Sequence, residues 1–211
     1  YAIAKLSMPN VAIYVDAAHS GWLGWEDNTR KAAAIFKEVL DAAGGPDKIR
    51  GFITNVSNYT PLSVSGGDPH PPEYYESNPC RDELTFVQRL SGALTAVGVT
   101  GKGFLIDTSR NGVVGTRTKW GNWCNIRGAG MGERPRATPT PGVDAYVWVK
   151  VPGESDGVAD PAAPRYDARP RRSPPPELFR LRIARHPLGG GRRGGAGARP
   201  LSLRRRPARG G

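Results

Sequence analysis

Short apolar runs alternate with longer amphipathic stretches along the first 150 residues, and the change of period between them predicts the elements. Residues 11–15 (VAIYV) form a β-branched and aromatic run ending in Asp16, the pattern of a buried parallel strand. Over 30–43 the period becomes helical: Ala32, Ile35, Phe36, Val39, Leu40 and Ala43 recur on one face, and Gly44, Gly45 and Pro46 stop the helix. GFIT at 51–54 is a second strand leading into Asn55. A second helix, roughly 82–97, carries Leu84, Val87, Leu90, Leu94 and Val97, with Gly98 after it. GFLI at 103–106, ending in Asp107, and DAYVWVK at 144–150 supply the third and fourth strands. Strand–helix–strand alternation with polar residues just past each strand is an α/β pattern, whose chemistry sits at the C-terminal ends of the strands. Four strands and two clear helices make about half a barrel. With a helix-like YAIAKL start and no initiating Met, this predicts a segment of a longer protein whose other half lies upstream of Tyr1.

The connections are long. Residues 60–82, rich in Pro, Gly, Ser and Asn, and residues 108–142 read as loops, and a loop of such length is uncommon without a functional reason. After about residue 160 the periodicity fails, and only ELFRLRIARH (177–186) keeps helical character. The Arg/Gly/Pro sequence of 165–211 has too little apolar area to offset its ordering entropy, so it is expected to be a disordered tail outside the domain of 1–164. Charge sharpens this division. The net charge of +11 suggests nucleic acid until it is split: residues 161–211 hold 14 Arg, no Lys and two acids, leaving 16 basic and 17 acidic residues in 1–160. The body is neutral, so an RNA-binding role resting on the Arg/Gly tail is a weak rival and no nucleic-acid partner is expected. No apolar run approaches the ~18 residues a membrane span needs. Cys80 and Cys124 either pair with each other or have partners elsewhere.

Four polar clusters follow strand ends. Asp16, His19, Trp22 and Trp25 suit a sugar, with indole faces on pyranose C–H faces and short polar groups on hydroxyls; the alternative is that both Trp are core. Asn55, Asn58 and Tyr59 form the second cluster, in which Asn55 reads as closing a turn. In the third, Asp107 and Arg110 stand three apart, as a loop-fixing ion pair or as ligand contacts. The fourth, Lys150, Glu154 and Asp156 on a Pro/Gly-shaped loop, can hold a carboxylate near a cation; glycoside hydrolysis needs one protonated and one ionised carboxyl group. Walker, HExxH, zinc-site and G-x-S-x-G patterns are absent, and neither a metal nor a cofactor is expected.

Taken together, NVAIYVDAAHSGWLGW, GFITNVSNYTPL, NPCRDELTFVQRL, FLIDTSRNG, WGNWCNIRGAGMGERP and DAYVWVKVPGESDG resemble, in order, glycoside hydrolase family 6, the cellobiohydrolases and endoglucanases of cellulose. The resemblance covers about residues 9–160 and implies a distorted, partly open TIM-like α/β barrel, about its C-terminal half present, with a cleft or tunnel across the strand ends. It implies sugar contacts at His19, Trp22, Asn58, Trp123, Lys150 and Glu154, with Trp25 a further aromatic of the cleft. Asp156 matches the residue usually assigned as proton acceptor, and Asp16 a supporting carboxylate. The family's general acid lies in an Asp-Arg-Asp-Cys-like motif found nowhere in these 211 residues, which predicts that this chain alone is inactive or nearly so. The long segments after Lys150 and over 60–82 resemble the cellobiohydrolase branch. A secreted, monomeric protein whose partner is a β-1,4-glucan chain is implied. The resemblance would also leave Cys124 without its usual disulfide partner, since matching residues and Lys disappear together near 169–172; a frameshift there predicts a Cys and a Trp-Phe end in another reading frame.

Overall fold

The predicted apolar runs pair side by side. The computed structural model describes residues 1–157 and 160–162; the expectations for 165–211 lie outside the described residues. A short helix α1 (Ala2–Leu6) leads to β1 (Tyr14–Asp16), a four-residue helix α2 (Ser20–Leu23) and the long helix α3 (Glu26–Ala42). Next come β2 (Gly51–Thr54), α4 (Glu83–Ala96), β3 (Gly103–Asp107), β4 (Arg136–Thr140) and β5 (Val143–Val147). The sheet order is β1-β2-β3-β5-β4, parallel except that β4 runs antiparallel to β5 at an edge. The described residues therefore form an open α/β sheet rather than a closed barrel.

Four predicted boundaries shift. The first strand begins at Tyr14 rather than Val11 and, lying at the edge of the sheet, has no buried residue. α3 begins at Glu26, four residues before the predicted start, because Glu26 and Asp27 in its first turn favour the positive end of the helix dipole. The fourth strand ends at Val147, so Trp148, Val149 and Lys150 belong to the loop beyond it. The predicted 108–142 loop contains β4. Its sequence, RATPT, has no apolar alternation, and Pro139 is tolerated because an edge strand has unpaired positions. The predicted inward face of α3 is also too wide. Ala32, Ala33 and Leu40 are buried, whereas Ile35 and Val39 are exposed on a flank that no described element covers.

α3 and α4 bury their apolar stripes with the sheet in one core. Phe52 and Phe104 are register partners on β2 and β3, with ring centroids 6.0 Å apart, and Phe36 of α3 packs 4.9 Å from Phe52. Phe86, Leu90 and Leu94 close the core from α4; each such side chain contributes roughly 1.5–3 kcal/mol by leaving water. Asp82 caps α4, accepting the Thr85 N–H at 2.8 Å. At the N-terminal end of the sheet, strand β5 approaches so closely that a side chain on Gly103 would meet the Asp144 carboxylate at 2.1 Å. Tyr14 and Arg50 hold that carboxylate at 2.6 and 3.2 Å, which leaves the opposite end of the strands to carry chemistry.

Candidate active site

The loops leaving β2, β3 and β5 meet at one carboxylate. Asp107, the last residue of β3, accepts N–H groups from Ser109 at 2.9 Å, Lys150 at 3.0 Å and Ser57 at 3.4 Å. With its oxygens occupied by backbone, Asp107 does not form the predicted pair with Arg110. Asn55 behaves as its position predicts: its amide donates to the carbonyls of Thr60 at 3.1 Å and Asp107 at 3.0 Å, closing the turn after β2.

Arg110 reaches instead to Asp156, Nη1 to Oδ1 at 2.5 Å, with the side chains only 8% and 5% exposed. Its Nη2 donates to the Ser57 carbonyl, and its guanidinium carbon lies 4.0 Å from the Tyr59 ring centroid. Asp156 also accepts from the Tyr59 hydroxyl and the Asn125 N–H, both at 2.9 Å, and lies 3.7 Å from the Lys150 ammonium. Lys150 bonds Glu154 at 3.0 Å. The structure thus assembles four predicted residues, Arg110, Lys150, Glu154 and Asp156, into one charged cluster. Burial raises the Tyr59 pKa, with Arg110 opposing and Asp156 reinforcing the shift, so the phenol stays a donor to the carboxylate. For Asp156 to take a proton from water, water must displace one of these donors or pass the proton through the Tyr59 hydroxyl.

The second group follows β1. His19 is the N-cap of α2, its Nδ1 accepting the Gly21 N–H at 3.1 Å, which places the ring proton of the neutral imidazole on Nε2. Burial, helped by the nearby Arg117 charge, holds its pKa down at about 4. Neutral His19 therefore presents an N–H donor over the physiological range. Trp22 is 66% exposed, its ring 5.0 Å from that of His19, so it is not a core residue. Such an uncovered indole beside a fixed donor matches the face and the hydroxyl of a sugar. Trp25 is half-buried and donates to the Glu76 carbonyl at 3.0 Å.

Asp16 is exposed at the end of β1 and accepts the Ala18 N–H at 2.7 Å; desolvation outweighs that bond and raises its pKa. Asn58 is buried and its Oδ1 accepts the Tyr59 N–H at 2.7 Å. Trp123 is half-buried on the loop before Asn125. Asn58 thus adjoins Tyr59 of the Asp156 cluster, whereas Asp16 and Trp25 hydrogen-bond to Ala18 and Glu76 away from it. Cys80 and Cys124 are both buried, and no disulfide links them. Among the described residues no group of three or more His, Cys, Asp or Glu could hold a metal ion.

Sequence reading missed two participants, Tyr59 as a ligand of Asp156 and Asn125, whose Oδ1 also accepts the Asp156 N–H at 2.9 Å. Asn125, Asn55 and Ser57 all have left-handed backbone, with φ of 47°, 61° and 59°. Asn after a strand or within a Trp-Cys-Asn string is the one signal that marks such turns.

Comparison with known proteins agrees with this geometry. The family model for glycosyl hydrolases family 6 matches residues 1–177. A probable 1,4-beta-D-glucan cellobiohydrolase C of Aspergillus fumigatus is 45% identical over 170 residues, 80% of this chain and 36% of that protein. The 1,4-beta-D-glucan cellobiohydrolase CEL6C of Podospora anserina is 43% identical over 169 residues, 80% of this chain and 42% of that protein. Among solved structures, a D405N mutant of the cellobiohydrolase Cel6A from Humicola insolens, in complex with methyl-tetrathio-alpha-d-cellopentoside, superposes with a TM-score of 0.74 at 41% identity. It covers 81% of this chain and 46% of that one. The endoglucanase CEL6B of the same organism gives 0.66 at 42% identity, covering 74% and 44%. The chain spans well under half the length of these curated relatives. With the family pattern running through both the Trp22 turn and the Asp156 cluster, the chain belongs to glycosyl hydrolases family 6.

Proposed function

We propose that this chain is the base-bearing part of a secreted, inverting glucanase that cleaves β-1,4-glucosidic bonds in cellulose and releases cellobiose. The observation that carries the reading is the Asp156 carboxylate, buried against Arg110, Tyr59 and Lys150 at the C-terminal ends of the strands. Cations on one side and the Tyr59 hydroxyl on the other hold this carboxylate in a fixed position, as a proton acceptor requires. Trp22 and His19 form a stacking platform, Lys150 and Glu154 meet hydroxyls, and Asp16 supports charge near the reacting ring. Trp25, Asn58 and Trp123 extend the glucan contacts. The long 60–82 loop and the segment after Lys150 resemble the roofing loops of the cellobiohydrolase branch, which supports release from chain ends. Residues 1–164 form the catalytic part and 165–211 lie outside it.

Inversion requires an acid and a base ~6.5–9.5 Å apart across the bond, with water between. The acid is to come from an Asp-Arg-Asp-Cys-like motif, which these 211 residues lack. The test joins the chain to the N-terminal half of the Podospora anserina relative and follows cellohexaose hydrolysis by proton NMR. The fused enzyme is expected to release α-anomeric cellobiose first, while the 211-residue chain alone turns over less than about 1% as fast, an acid–base contribution of order 10²–10⁴. First appearance of the β-anomer, or full turnover by the chain alone, overturns the reading.

Binding is separable from catalysis. Trp22→Ala is expected to weaken cellohexaose binding about tenfold, ~1.4 kcal/mol, with little change in Tm because the ring is 66% exposed. Calorimetric titration and thermal denaturation of the same samples check this. Equal affinity in the variant would remove Trp22 from the site.

A further inference from the structure

We propose that Glu83 is the positioning residue of the His19–Trp22 turn and ties that turn to the base of the 60–82 loop. The inference rests on the reading of His19 and Trp22 as sugar contacts. Glu83 is the first residue of α4, where a glutamate ordinarily faces solvent near the helix dipole; here its side chain is fully buried. Its Oε1 accepts the N–H of Ser20, the first residue of α2, at 3.0 Å. The Ser20 carbonyl in turn accepts from Asn78 Nδ2 and from the Gly24 N–H, both at 2.8 Å.

Helix α2 has only four residues, too few to be stable by its own hydrogen bonds, so its geometry must be imposed from outside. Glu83 and Asn78 impose it by holding both backbone polar groups of Ser20. The packing leaves no slack: a side chain on Gly24 would sit 2.4 Å from the Ser20 carbonyl and 2.8 Å from Cys80 Cβ. The backbone of the same helix start grips the loop. Glu83 N–H donates to the Pro61 carbonyl at 3.0 Å, and Asp82 accepts the Val64 N–H at 3.0 Å.

The second carboxyl oxygen points to the same role. Glu83 Oε2, Ser20 Oγ and Thr54 Oγ1 are all buried without a hydrogen bond of good geometry. Burial pushes the carboxyl up to about 7, against the pull of Ser20 and Thr54, with Asp82 raising it further. A protonated Oε2 has two hydroxyls at hand to accept its proton, joining α2 to the last residue of β2. Glu83 thus meets α2, β2 and the loop while touching no part of the Asp156 cluster.

The test uses the 211-residue chain with Glu83→Gln, Glu83→Leu and, as a control for loss of stability elsewhere in α4, Leu94→Ala. The His19 imidazole titration by NMR and cellohexaose affinity by tryptophan fluorescence are read together. In Glu83→Gln the amide oxygen still accepts the Ser20 N–H, so His19 is expected to titrate near its native value of about 4, with affinity within about twofold. In Glu83→Leu the His19 pKa is expected to rise toward its ordinary range and affinity to fall about tenfold. Leu94→Ala should lower Tm and move neither. Unchanged His19 titration and affinity in Glu83→Leu overturn the proposal. If that variant does not fold, Asn78→Ala, which frees the other side of Ser20, is read the same way. A native chain that fails to bind cellohexaose, with His19 still shifting in Glu83→Leu, overturns the sugar-site reading and supports the positioning.

Discussion

Arg110→Ala is expected to lower the stability of the chain by about 3–5 kcal/mol, a large share of the 5–15 kcal/mol typical of a domain, and to abolish turnover in the complete enzyme. The reason is the orphan it leaves. Asp156 is 5% exposed, and Arg110 is its nearest cation; Lys150 stands 3.7 Å away and is shared with Glu154. Without the guanidinium the carboxylate keeps Tyr59 and Asn125 as neutral donors but loses the charge that offsets its desolvation. Arg110→Lys recovers only part of the loss. One ammonium cannot bond Asp156, bond the Ser57 carbonyl and lie over the Tyr59 ring together, as the planar guanidinium does. The double variant Arg110→Met, Asp156→Leu should be less destabilised than the sum of its single changes, because it buries no unpaired charge. Urea denaturation of the native chain, Arg110→Ala, Arg110→Lys, Arg110→Met, Asp156→Leu and the double variant checks this. A cost below about 1 kcal/mol for Arg110→Ala would mean that Asp156 is not held as an ion pair in solution.

That pair also shows where sequence reading stops. The elements built on apolar periodicity were legible, because α3, α4, β2 and β3 each bury an apolar stripe or run. β4 was not, since its residues are mostly exposed and its order comes from pairing with β5 rather than from burial. The Asp156 cluster was legible as residue types but not as partnerships. A spacing of three suggested Asp107 for Arg110, yet the true partner is 46 residues away and is brought there by the parallel order of β3 and β5. Asp107 could not serve both purposes once three backbone N–H groups had claimed it. The family resemblance supplied roles for Asp156 and Trp22. It supplied none for Tyr59 or Glu83, whose contributions exist only as contacts. Glu83 in particular reads from sequence as an ordinary acidic residue in a first helical turn.

Two buried groups of opposite kind contribute opposite pH dependences to the stability of this chain. His19 has a native pKa of about 4 against an ordinary 6.5. Between those values the unfolded chain binds a proton that the folded chain refuses, so acidification destabilises, by up to about 3 kcal/mol at pH 4. Glu83 has a native pKa of about 7 against an ordinary 4.5. Between those values the folded chain keeps a proton that the unfolded chain releases, so raising the pH destabilises, again by up to about 3 kcal/mol at pH 7. From about pH 4.5 to 6.5 the two slopes oppose each other and nearly cancel. Glu83→Gln removes one of them while keeping the acceptor for Ser20. Relative to the native chain it should gain stability toward pH 7 and lose that gain on acidification at up to about 1.4 kcal/mol per pH unit, the slope of one proton. Other carboxylates are common to both proteins and cancel in the difference. Urea denaturation of the pair at pH 4.5, 5.5 and 6.5 measures it, and a difference that stays constant across the three would show that Glu83 is ionised in the folded chain throughout.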